Sequence, residues 1–188
     1  MFIQTEATPN PLTLKFIPEK VVLEKGTLEF KNKDEAKSSP LALSLFDNDM
    51  VRNVFLGKDF ITVTKSEKSS WESLKPDILS RIMDFYSHNT NVVNEDVLEE
   101  DNNVEENFDV KDLDIVNQIK TLLEEKIKPA VAQDGGDIRF SGFDGGIVYL
   151  ELRGACAGCP SSTLTLKSGI ENMLKYYIPE IKSVEAIN

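Results

Sequence analysis

The stretch RGACAGCPSSTLTLKSGIENML, Arg153–Leu174, holds the only two cysteines of a 188-residue chain, Cys156 and Cys159. Before it, Val148, Leu150 and Leu152 alternate with Tyr149, Glu151 and Arg153, the period of a strand with one buried face. After it, Leu166, Ile170, Met173, Leu174 and Tyr177 recur at helical spacing. Pro160 suits the first position of that helix, where a missing N–H is no loss, so Cys159 is expected at or near the N-cap. Gly154 and Gly158 permit positive φ and close approach to a bulky ligand. The stretch therefore predicts a strand, a glycine-rich turn and a helix, with both cysteines exposed in the turn. Unpaired N–H groups at the helix start favour thiolate over thiol there.

Working outward, DIRFSGFDGGIVYLELR (137–153) predicts a β-hairpin around Asp144-Gly145-Gly146. Upstream, DLDIVNQIKTLLEEKIKPAVAQDGG (112–136) predicts a helix with Ile115, Ile119, Leu122, Leu123 and Ile127 on one face. Asp112 or Asp114 can cap its start, and Pro129 marks its end or a kink. IKSVEAIN (181–188) closes the chain as a short strand. Residues 109–188 thus read as a small α+β domain in the order α-β-β-α-β.

The formal charge is −11, and it is unevenly placed. Between Asn94 and Asp109 lie Glu95, Asp96, Glu99, Glu100, Asp101, Glu105, Glu106 and Asp109, with no Lys or Arg. Such a segment buries too little apolar surface to offset ordering entropy, so residues 91–108 read as an acidic flexible linker. Residues 1–90 read as a second α+β domain. Strands are expected over Thr13–Phe16 and Val21–Phe30, with Gly26 as a turn residue, and a short helix over Leu41–Phe46. Two β-rich runs hinge at Gly57-Lys58. A helix follows, with a Ser69/Glu72 capping box and apolar positions Trp71, Leu74, Ile78, Ile82 and Phe85. No catalytic constellation occurs in this half, and a partner-docking module is the reading left by elimination.

Hydrophobic residues make up 40% and charged residues 28% of the chain, an ordinary globular balance. No apolar run approaches the roughly 20 residues of a membrane-spanning helix. No basic cluster exists to meet nucleic acid. MFIQTEATPNP is neither a signal peptide nor an Arg-rich presequence. A bacterial cytoplasm is the expected home, with the mitochondrial matrix, as a processed chain, the alternative.

Three chemistries compete for Cys156 and Cys159. A Cys-x-x-Cys pair at a helix start is the thioredoxin arrangement, but only 29 residues follow Cys159, too few for that fold. Structural zinc needs four ligands, and one chain offers two cysteines and the remote His88; a dimer could supply four. Iron–sulfur clusters are typically held by four thiolates, and two chains related by a two-fold axis meet that count.

Two motifs carry a family resemblance. DGGDI (134–138) and GACAGCPSSTLTLKSGIENML (154–174) resemble the C-terminal domain of NifU-type proteins. TPNPLTLKFIP (8–18) and FLGKDFITVTK (55–65) are similar to the N-terminal domain of the Nfu proteins of mitochondria and alphaproteobacteria. The resemblance spans nearly the whole chain outside the acidic stretch. It implies a non-enzymatic iron–sulfur cluster scaffold or carrier, with a 4Fe-4S cluster bridged between two copies of the chain. Cys156 and Cys159 carry over as its ligands. It also implies upstream cluster-assembly proteins as donors, and as recipients apo-proteins such as lipoyl synthase and aconitase-like enzymes. Arg153 and Lys167 flank the loop and could offset the anionic cluster. Asp134 and Asp137 read as turn residues beside Gly135-Gly136.

Overall fold

The computed structural model describes residues 1–88, 91–94, 106–158 and 160–187, with the side chains of 160–162 left aside. The chain forms two compact units, Met1–Asn103 and Val104–Asn188. Both mix helices with sheet, in keeping with the α+β expectation.

In the first unit, strands β1 (Gln4–Ala7), β2 (Thr13–Ile17), β3 (Leu28–Phe30), β4 (Val51–Leu56) and β5 (Ile61–Lys65) form one sheet in the order β1-β2-β5-β4-β3. Every neighbouring pair is antiparallel. Helices α1 (Pro40–Phe46) and α2 (Trp71–His88) join the strands in one core. Leu41, Leu45, Ile78 and Ile82 pack with Phe16, Val54, Ile61 and Val63, all fully buried. Of the expected Val21–Phe30 strand only Leu28–Phe30 joins the ladder. Val22 and Leu23 are buried instead, with their N–H groups donating to the Lys58 carbonyl. At the start of α2, the Ser69 hydroxyl does not form the expected capping box with Glu72. It donates to the Ser66 carbonyl at 2.8 Å.

Ser39 caps α1, accepting from the Ala42 N–H at 3.1 Å, while its hydroxyl donates to the Val92 carbonyl at 2.7 Å. Val92 is buried in this core, so the start of the acidic stretch is folded where an apolar side chain can join it. Residues 95–105, most of the expected linker, lie outside the described residues.

In the second unit, β6 (Asn107–Phe108), β7 (Gly136–Asp144), β8 (Ile147–Gly154) and β9 (Ser183–Ile187) form a sheet in that order. β6 lies parallel to β7, where the sequence reading has linker; Phe108 contacts Phe140 edge to face. β7 and β8 form the expected hairpin, with Gly145 and Gly146 at φ 57° and 95°, the pair of positive values a two-residue turn of this hand requires. β8 and β9 run parallel, joined by helix α5 (Pro160–Tyr177), because parallel neighbours need a long crossover.

The helix before β7 does not stop at Pro129. α3 (Leu113–Leu122) passes into a π turn, Leu123–Ile127, and then into α4 (Lys128–Gln133). The buried residues Ile119, Leu123, Ile127 and Val131 are spaced by four. In an unbroken α-helix each such step would rotate the series by about 40° off the core face. The wider turn takes up that rotation, and Pro129 falls at the start of α4, where a missing N–H is tolerated.

On α5, Ile170 and Leu174 are buried as expected, but Tyr177 stays 48% exposed, and the core position goes to Ile178. The helix is tied to β9 by Glu171, which accepts from the Val184 N–H at 3.0 Å and from Lys175 Nζ at 2.5 Å. The Lys175 ammonium first, and then the Val184 N–H, hold the Glu171 carboxyl below its ordinary range.

Candidate metal centre

β8 delivers the chain to the loop. Val148, Leu150 and Leu152 face the core, and the strand ends at Gly154, φ 63°. Gly154 stands opposite Gly136, the first residue of β7. The loop then folds back on the sheet: the Ala155 N–H donates to the Gly135 carbonyl at 3.1 Å, and the Ala157 N–H to the Gly154 carbonyl at 3.1 Å. From α5, the Thr163 hydroxyl donates to the Cys156 carbonyl at 3.2 Å. Gly158, φ 79°, takes the left-handed conformation foreseen for a glycine in this turn.

Cys156 is only 6% exposed and belongs to the apolar core of its unit. The expectation of an exposed sulfur at this position is therefore corrected. The reason is the bare backbone of Gly136: a Cβ built there would stand 2.4 Å from Cys156 Sγ. Cys159 lies outside the described residues.

The charged residues near the loop divide. Asp137 and Arg153 are buried and stand opposite each other in the β7–β8 ladder, with Arg139 opposite Glu151 two positions on. The alternation with Ile138 and Leu152 turns these charges to the sheet face away from the core. Asp137 is thus a strand residue, not a turn residue, whereas Asp134 forms the exposed end of α4. Lys167 pairs with Glu185 of β9 at 2.8 Å. Among the described residues no group of three or more His, Cys, Asp or Glu side chains is arranged to hold a metal ion. None of their helices is long and apolar enough to cross a membrane.

Sequence reasoning missed Gly136 as the neighbour of the Cys156 sulfur, and the Thr163 hydroxyl as a tie to the loop. The Gly-Gly pair of DGGDI was the available signal, read as a turn and as part of the family resemblance.

Comparison with known proteins adds the family. Residues 3–89 match the description "Scaffold protein Nfu/NifU N terminal", and residues 119–185 match "NifU-like domain". NifU-like protein 4, mitochondrial, of Arabidopsis thaliana is 50% identical over 189 residues, which is 98% of this chain and 65% of that protein. The human NFU1 iron-sulfur cluster scaffold homolog, mitochondrial, is 50% identical over 188 residues, covering 100% of this chain and 72% of the relative. The chain therefore spans about two thirds of the length of these relatives. A solution structure of a NifU-like protein from Saccharomyces cerevisiae superposes with a TM-score of 0.46 at 28% identity, over 50% of this chain and 86% of that one. The expected bacterial cytoplasm is corrected by these relatives, which carry mitochondrial names.

Proposed function

The chain belongs to the Nfu/NifU family of scaffold proteins, and on that footing we propose that it holds a 4Fe-4S cluster between two copies of itself and hands it to apo-proteins. The observation that carries this reading is the supply of ligands. Each chain has two cysteines, in the stretch between β8 and α5, and among the described residues no group of three or more His, Cys, Asp or Glu side chains is arranged to hold a metal ion. Two copies bring four thiolates, the usual complement of a cluster. An isologous junction brings the same loop from both chains to one axis.

The cluster is cargo, and the chemistry is ligand exchange. A site shared by two chains opens when they part, and a recipient's thiolates replace those of Cys156 and Cys159. No bond of an organic substrate is made or broken, so the chain is a carrier with no turnover. Upstream cluster-assembly proteins supply the cluster. The folded first unit, with no catalytic constellation read in its sequence, serves partner contact. Residues 95–105 serve as the acidic connection between the units. A mitochondrial setting follows the named relatives.

Transfer is the test of the carrier role. Cluster-loaded chain mixed anaerobically with an apo 4Fe-4S enzyme is expected to restore that enzyme's activity in proportion to the cluster added. It should do so faster than free iron and sulfide at the same concentrations. Activation no faster than by free iron and sulfide would overturn it.

A further inference from the structure

We infer that Gly136 is a positioning residue for the cluster ligand Cys156: its missing side chain is the slot that fixes the sulfur.

The geometry is specific. A Cβ at Gly136 would lie 2.4 Å from Cys156 Sγ, 2.9 Å from the Arg153 carbonyl oxygen and 3.1 Å from the Cys156 nitrogen. All three distances are shorter than ordinary van der Waals contact. Two of the atoms are backbone, which cannot swing aside as a side-chain end can. Gly136 is not among the glycines with positive φ, unlike its neighbour Gly135 at 81°. Backbone conformation therefore does not call for glycine at 136; space does. The strand register points the same way, since Gly136 stands opposite Gly154, the residue from which the loop departs. The loop is pinned beside the slot by the Ala155 N–H to Gly135 and on its far side by Thr163. With the sulfur fixed, one ligand's direction is set before a cluster arrives, and less ordering is left to pay on binding.

This inference rests on the cluster-carrier reading for its purpose but not for its first test. In full-length Cys159→Ser protein without metal, Cys156 is the only thiol. Its alkylation by iodoacetamide, in which the thiolate displaces iodide, reports how firmly the sulfur is held in its slot. Gly136→Ala in that background is expected to raise the rate roughly tenfold, which corresponds to about 1.4 kcal/mol of lost seating. Gly142→Ala is the control. It also intrudes on a neighbour of β7, the Asn107 carbonyl oxygen at 2.7 Å, but far along the strand from the loop. It should leave the rate unchanged. An unaltered rate in Gly136→Ala, or equal acceleration by Gly142→Ala, overturns the slot. In the two-cysteine chain, Gly136→Ala is expected to lose its cluster to a chelator roughly tenfold faster than wild type, the same 1.4 kcal/mol seen from the loaded side. A cluster as durable as wild type overturns the positioning role. If wild-type chain takes up no cluster while the alkylation result holds, the carrier reading fails and the slot stands.

Discussion

Cys156→Ala protein is expected to fold and to carry no cluster. The substitution removes one sulfur from a site that is 6% exposed. A buried change of that size costs about 1 kcal/mol, comparable with Ile→Val in a core. The unit keeps its helices and sheet, and far-UV circular dichroism stays unchanged. The loss of cargo is total, because on the proposed ligand set a dimer of this variant lacks two of the four thiolates that clusters are typically given. Cys159→Ala is expected to behave alike. Iron and sulfide per chain after anaerobic reconstitution check both, and a variant that retains wild-type iron would show that the ligand set is drawn wrongly.

Leu174→Ala is expected to have the largest effect on stability. Leu174 is fully buried on the core face of α5, among Ile138, Leu150, Ile170 and Val184. Truncating such a side chain costs about 2–5 kcal/mol, the transfer of the lost methyl groups plus the cavity they leave. A unit of this size is stable by roughly 4–13 kcal/mol, so the loss is a large share of the whole. The unfolding midpoint of the second unit should fall by roughly 10–25 °C. The first unit's core shares none of these residues, and its transition should stay in place. Tyr177→Ala, one turn on and 48% exposed, should move neither transition by more than about 0.5 kcal/mol. Scanning calorimetry resolves the two transitions, and a shared shift for Leu174→Ala would show that the two units do not unfold independently.

Much of this architecture is local, and local order is legible in sequence. The hairpin at Gly145-Gly146 follows from two glycines between two alternating runs. The long helix α5 follows from Pro160 and the apolar series that begins at Leu166. What escaped depends on distant partners. β6 is two residues long, and a side chain at Gly142 would crowd the Asn107 carbonyl it pairs beside. Val21–Glu24 has strand composition but meets the Lys58 carbonyl rather than a ladder. Pro129 read as a helix end or a kink because the compensating π turn lies upstream of it. At the site, the spacing of the two cysteines left redox, zinc and iron–sulfur chemistry open, and the family resemblance pointed to the last. That Cys156 is buried could not be read from its own loop, since the space it fills belongs to a glycine twenty residues earlier. Arg153 flanks the loop in sequence, but its burial could not be read there for the same reason: its opposite number, Asp137, sits on the other strand.

The central claim is that one chain holds half a site. It is tested most directly by native mass spectrometry of the full chain after anaerobic reconstitution. The account predicts a species of twice the chain mass plus one 4Fe-4S cluster, with the chain running as a monomer once the cluster is removed by chelation. A reconstituted protein that stays monomeric and holds no iron would contradict it, as would a dimer that carries zinc in place of the cluster.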